Sequence, residues 1–186
     1  MPEAAKAERL LNMFCESLRA VSSWNVSMRR ITMAGAADNQ FIGAWELISC
    51  EAVRRNGEAV PLYGPAPVGR LYYDADGNMS VHIMRRDREP LGSNGGRQRD
   101  IEEVRSAYEG YQAYFSTYVV DAERHLIHHS VIGSLFPNWT GTTQTRSYAF
   151  EGSNRLVLSS PSSGDGDSPR TIVKLIWERL KTQDGI

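Results

Sequence analysis

The sequence predicts an all-β, antiparallel barrel of about eight strands. Three observations point to it: short apolar runs recur after Phe41, turn signals separate them, and no strand–helix–strand alternation or fixed-length repeat intervenes. Strands in that number close on themselves or pair as two sheets, because an open edge of unpaired N–H and C=O groups templates association. Around eight strands is also the size at which a barrel interior holds one small ligand.

The elements follow in chain order. In residues 4–21, Leu10, Phe14, Leu18 and Val21 fall at spacings of four, four and three among Glu8, Arg9, Glu16 and Arg19, the pattern of an amphipathic helix. Residues 22–40 carry little periodicity, and Gly35, Ala36 and Ala37 mark a linker. The chain thus divides into a helix and linker at 1–40 and a barrel domain at 41–181. In the first strand, Trp45, Leu47 and Ser49 alternate against Glu46, Ile48 and Cys50. Residues 68–73 and 78–84 flank Asp74-Ala75-Asp76-Gly77, where Gly77 takes a positive φ as the bulge residue of a three-residue hairpin turn. That register sets Leu71 and Tyr73 against Val81 and Met79 on one face, and leaves Arg70, Tyr72, Ser80 and His82 on a solvent-facing one.

Residues 85–99 are rich in Gly and Arg and read as a long loop. A short inserted helix follows, capped by Asp100 with Glu103 three residues on, showing Ile101, Val104 and Tyr108 on one face and ending at Gly110. Residues 111–120 and 125–132 form a hairpin across Asp121-Ala122-Glu123-Arg124. Residues 142–150 and 155–160 form another, through a two-residue turn at Gly152-Ser153. Residues 161–170 are a loop. The last strand, 171–180, turns Lys174 and Glu178 outward and Val173, Leu175, Trp177 and Arg179 inward.

Composition narrows the function. Among 186 residues, 21 basic and 22 acidic side chains nearly cancel, so no global field draws the chain to nucleic acid or an anionic membrane. Cys15 and Cys50 are too few for a disulfide framework and read as reduced thiols. The apolar run from Leu10 to Cys15 is far short of the ~20 residues that span a bilayer and lacks the shape of a signal peptide, so a cytoplasmic location is expected. No Gly-rich phosphate loop, dinucleotide fingerprint or Gly-x-Ser-x-Gly elbow is present, which argues against kinases, Rossmann enzymes and α/β-hydrolases.

Some of these residues match a known pattern. Gly43-Ala44-Trp45 resembles the Gly-x-Trp signature of lipocalins, and Arg179 resembles the arginine that packs across that tryptophan at the closed end of their barrels. Gly69-Arg70-Leu71-Tyr72-Tyr73, Gly77-Asn78-Met79-Ser80, His128-His129, Pro137-Asn138-Trp139-Thr140-Gly141, Arg146 and Trp177-Glu178-Arg179 resemble recurring words of the lipocalin-like domain family of bacteria and fungi, over roughly residues 41–180. The resemblance implies a calyx for small molecules. Fungal members are often found among proteins of secondary-metabolite biosynthesis, which favours a cyclase, isomerase or dehydratase. It supplies no catalytic set to carry over residue by residue.

The candidate chemistry lies in the middle of the barrel. His125, His128 and His129 do not make a metal site, since alternation sends His128 to the face opposite the other two. Asp74, Asp76 and Asn78 are explained by their turn rather than by calcium. With a three-residue loop at Asp121, Tyr118 sits opposite His128 and Tyr114 opposite Ile132, and Arg146 joins them from the next strand. His128 is then the candidate proton shuttle, with Tyr118 and Arg146 stabilising developing charge. Tyr73, Met79, Tyr114 and Trp177 are the candidate ligand wall. A one-residue slip in this register turns the same side chains to the opposite face. Trp45, Trp177 and Arg179 are expected to stack as a plug at the barrel base.

Two functions stay open at this stage. One is a cofactor-free isomerase, cyclase or dehydratase acting on a polyketide, terpenoid or similar hydrophobic or aromatic molecule. The other is a carrier that holds such a molecule unchanged. Neither needs a cofactor, nucleic acid or membrane, and the sequence leaves the oligomeric state open.

Overall fold

The computed structural model describes residues 39–54, 56–91, 100–160 and 172–181. The helix expected at 4–21, most of its linker, residues 92–99 of the basic loop and nearly all of the loop before the last strand lie outside the described residues. Among the described residues there are nine strands: β1 (Gly43–Val53), β2 (Ala59–Pro61), β3 (Val68–Tyr73), β4 (Asn78–Met84), β5 (Tyr111–Asp121), β6 (Leu126–Ser134), β7 (Thr143–Glu151), β8 (Arg155–Ser159) and β9 (Ile172–Arg179). The helix α1 (Ile101–Glu109) lies between β4 and β5, and a 3₁₀ turn at Pro137–Trp139 lies between β6 and β7.

Every pairing is antiparallel. From β3 onward each strand pairs with the next, and β9 returns to β1, so β1 with β3 to β9 makes a closed eight-stranded barrel. Closure depends on the length of β1. Residues 43–46 pair with β3, Glu51–Val53 pair with the short β2 on the same edge, and the opposite edge is taken up by β9. The sequence reading missed β2, whose three residues include Pro61 and carry no periodic signal.

The first hairpin forms as its residues require. Leu71 pairs with Val81 and Tyr73 with Met79, all four buried. Gly77 takes φ +85°, and Asp74 accepts from the Asp76 and Asn78 backbone N–H groups, fixing the turn. Helix α1 is capped by Asp100, which accepts from the Glu102 N–H, and ends at Gly110. None of its residues is buried among the described residues.

Three registers differ from the sequence reading. A bulge between Leu47 and Ser49 resets the alternation of β1, so Cys50 rather than Ser49 faces inward. The β5–β6 loop holds four residues, Asp121 pairing with Leu126, because His125 adopts a left-handed φ of 54° instead of starting the strand. Tyr118 therefore stands opposite His129, and a second bulge after Phe115 places Tyr114 opposite Ser134. The β7–β8 turn likewise has three residues, with Glu151 paired to Arg155.

One end of the barrel is sealed. Phe41, fully buried, makes edge contacts with Tyr73, Tyr148 and Phe150. The Trp45 Nε1–H donates to the Phe41 carbonyl at 2.8 Å. The Arg179 guanidinium lies 4.1 Å over the Trp45 ring and donates to the carbonyls of Ile42, Gln40 and Ser153. Gly43 (φ +132°) is required here, since a Cβ would stand 2.8 Å from Arg179 Nη1. The expected contact between Trp45 and Arg179 is thus present. Trp177 is not in that stack; it lies further into the barrel, opposite Leu47 and Leu156.

Candidate functional site

Above the aromatic plug the barrel encloses a cavity of about 510 Å³, within the range of small-molecule sites. Alternation on five strands builds its wall: Leu71 from β3, Met79, Val81 and Ile83 from β4, Tyr114 from β5, Leu158 from β8, and Leu175 and Trp177 from β9. The polar lining is sparse. It comes from Tyr63, Gln112, Tyr114, His129, the Thr143–Arg146 stretch of β7 and Ser160.

His129 is the organising polar residue. On β6, Ile127, His129 and Val131 point inward and His128 outward. His129 is 1% exposed, with Nε2 2.9 Å from the Tyr73 hydroxyl and Nδ1 3.1 Å from the Tyr114 hydroxyl. Burial, helped by the positive charge of Arg146 and by His128, lowers its pKa from 6.5 to about 3, so the ring is neutral at ordinary pH. A neutral imidazole has one donor and one acceptor. The buried Tyr73 hydroxyl has no other hydrogen-bond partner among the described residues, so it donates to Nε2. Nδ1–H then donates to the Tyr114 oxygen. Three polar hydrogens serve two bonds, and the one left over is the hydroxyl hydrogen of Tyr114, the tyrosine of the pair that lines the cavity.

The remaining groups are readily placed. Arg146, paired with Ile127 across β6 and β7, faces inward and is half-buried. Its one hydrogen bond among the described residues is from Nη1 to the carbonyl of its neighbour Thr145, at 2.9 Å. Burial, reinforced by Glu51, pushes the Cys50 thiol up to about 12, so it is no nucleophile at neutral pH. Burial does the same to the Tyr63 phenol, which donates to Gln112 Oε1 at 2.7 Å near the mouth.

Of the residues singled out from sequence, Met79, Tyr114, Arg146 and Trp177 line the cavity, and Tyr73 stands beneath it, joined through His129. His128 does not reach it. Its imidazole lies on the outer face, with Nδ1 3.0 Å from Thr145 Oγ1. Tyr118 is inward but too near the closed end: its ring meets Tyr73 edge-on and its hydroxyl donates to the Asp74 carbonyl at 2.8 Å. The His128 correction comes from the extra residue in the Asp121 loop, whereas Tyr118 is set near the closed end by its place on β5 beside the Asp74 turn, where its backbone N–H donates to the Gly77 carbonyl. The same slip hid His129, whose only sequence signal was the His128-His129 pair itself.

A closed antiparallel barrel, plugged at one end and hollow above with apolar walls and a few inward polar groups, defines a calyx-type protein of small-molecule dimensions. The family model of the lipocalin-like domain matches residues 42–180, and the chain belongs to that family. No curated protein matches the chain. No helix among the described residues is long and apolar enough to cross a membrane. No group of three or more metal-ligating side chains converges among them.

Proposed function

We propose that this protein binds one small, predominantly apolar organic molecule inside the barrel, oriented by the free hydroxyl hydrogen of Tyr114, and holds it without consuming it. The observation that carries this reading is the Tyr73–His129–Tyr114 chain at the cavity floor. It presents one donor to a guest, yet it has no route for net proton transfer. Drawing a proton through it would leave a phenolate at Tyr73, where burial, together with Tyr114 and Tyr118, raises the pKa well above the usual phenol value. An imidazole with a pKa near 3 is likewise poorly matched to general acid–base work at neutral pH.

The test uses N-phenyl-1-naphthylamine, an uncharged apolar fluorophore. It should gain fluorescence on one-to-one binding to the wild-type protein and fail to do so with Val81→Trp, where an indole fills the cavity. Circular dichroism establishes that the variant is folded. Equal binding by both proteins would place the ligand elsewhere.

A second reading has one observation in its favour. Tyr114 and Arg146 line the same cavity, and a hydrogen-bond donor beside a cation polarises a carbonyl as an oxyanion hole does. That suits a cofactor-free isomerase, cyclase or dehydratase of secondary metabolism whose substrate supplies its own base, with the charge-stabilising role first given to Tyr118 passing to Tyr114 and Arg146 keeping its own. Under this reading a polyketide or terpenoid substrate is recovered rearranged, and Tyr114→Phe slows turnover about 10²- to 10³-fold. Recovery of an unchanged molecule supports the carrier.

A further inference from the structure

We infer that the ligand is an amphipathic organic acid, with an ionised carboxylate-type group on Arg146 and an apolar body against the opposite wall. The inference rests on the reading of the cavity as a ligand site and names what that site selects.

The argument begins with charge. Among the described residues lining the cavity there is no Asp or Glu, and Arg146 is the only one that carries a full charge at neutral pH. Six arginines of the outer surface, Arg54, Arg70, Arg85, Arg105, Arg124 and Arg155, pair with carboxylates within 4.0 Å. Among the described residues Arg146 pairs with none. One of its five N–H donors is used, on the carbonyl next to it in sequence.

A half-buried guanidinium without a counter-charge is costly in an apolar cavity, and an anion that fits removes that cost on binding. The positive charge lies among the floor groups, since it bears on the ionisation of Cys50, Tyr73, Tyr114 and His129. Tyr114 offers the same guest a neutral donor. Across from β7, the walls of β3, β4 and β9 are Leu71, Val81, Ile83, Leu175 and Trp177, which suit a hydrocarbon body and carry no charge; their one polar side-chain atom is the buried Trp177 Nε1–H, which has no hydrogen-bond partner among the described residues. A planar guanidinium fork matches the two oxygens of a carboxylate, whereas a cationic guest meets repulsion without a compensating acid.

The experiment is calorimetric titration of the full chain with three probes of equal length, decanoate, 1-decanol and decylammonium. Decanoate is expected to bind about 10- to 100-fold more tightly than the alcohol, the range for a hydrogen bond to a charged group, and the ammonium more weakly than either. Arg146→Met should bring decanoate down to the affinity of the alcohol, and Arg146→Lys should keep part of the preference. Thermal melting of both variants establishes that they are folded. Decanoate binding no tighter than decanol to the wild-type protein overturns the inference, as does a preference that survives Arg146→Met. If the wild-type protein takes up N-phenyl-1-naphthylamine without preferring the acid, the ligand class alone falls. If it takes up neither that fluorophore nor decanoate, the cavity reading falls with it.

Discussion

Two arginines, Arg179 and Arg146, project into the same barrel from β9 and β7, and they sit in opposite circumstances. Each nitrogen of the Arg179 guanidinium is engaged: three carbonyls accept from it and the Trp45 ring lies beneath it. Among the described residues Arg146 donates to one carbonyl, and it lines the cavity. Residue type is the same and inward orientation is the same. What separates a structural arginine from a binding one is how many of its donors the fold has already used. By this measure the closed end is finished and the cavity floor is left incomplete.

The largest expected effect falls on the finished end. Trp45→Ala removes a fully buried indole that packs on Arg179 and Phe150, and it should cost roughly 3–5 kcal/mol in urea denaturation. Binding per folded molecule should stay unchanged. A loss below about 1 kcal/mol would mean the plug is not what holds the barrel closed. Arg179→Met comes next. It strands the carbonyls of Gln40, Ile42 and Ser153, each of which costs of order 1 kcal/mol where water does not replace the donor. Arg146→Met should leave stability within about 0.5 kcal/mol, because it strands only the Thr145 carbonyl; equal losses for the two substitutions would erase the contrast.

The floor makes a subtler prediction, in pH. His129 is neutral when folded and regains its ordinary value near 6.5 when unfolded. Below that value the unfolded chain binds a proton that the native state refuses. The contribution is therefore intact above pH 6.5 and is lost as pH falls toward about 3, at up to about 1.4 kcal/mol per pH unit. Comparing His129→Gln with the wild-type protein isolates this slope from that of the carboxylates, and the variant's curve should be flatter. Ring ¹⁵N shifts give an independent reading: His129 should stay neutral, in the Nδ1–H form, down to about pH 4. His128→Ala, on the outer face, is the smallest case, expected within about 0.5 kcal/mol and without effect on ligand affinity.

The way these residues were read from sequence follows the same division. Strand alternation in β3, β4 and β9 was legible because each carries an apolar face, and the Trp45–Arg179 contact was legible through the resemblance of Gly43-Ala44-Trp45 and Arg179 to the lipocalin pattern. The floor was not. Its register depends on the left-handed turn residue His125 and on bulges in β1 and β5, features of backbone geometry that leave apolar periodicity almost untouched. One extra loop residue exchanged His128 for His129, and the pairing of β5 with β4 beside the Asp74 turn set Tyr118 at the plug rather than the cavity. Tyr114, Arg146, Met79 and Trp177 line the cavity, Arg146 from β7.

The seam between β1 and β9 governs how the molecule comes to exist. Successive strands from β3 to β9 meet through neighbours in the chain, whereas β1 waits for β9, and the Arg179 bonds to Ile42 and Gln40 span 137 and 139 positions. Loop-closure entropy makes such a long-range pairing slow, so barrel closure is expected to be the last kinetic event, after the local hairpins. A ribosome would then present β1 with one edge open until β9 (Ile172–Arg179) has emerged. Pulsed hydrogen exchange during refolding should find the β1 amides that bond to β9 protected later than those of the β3–β4 hairpin; simultaneous protection would show that the seam closes with the rest.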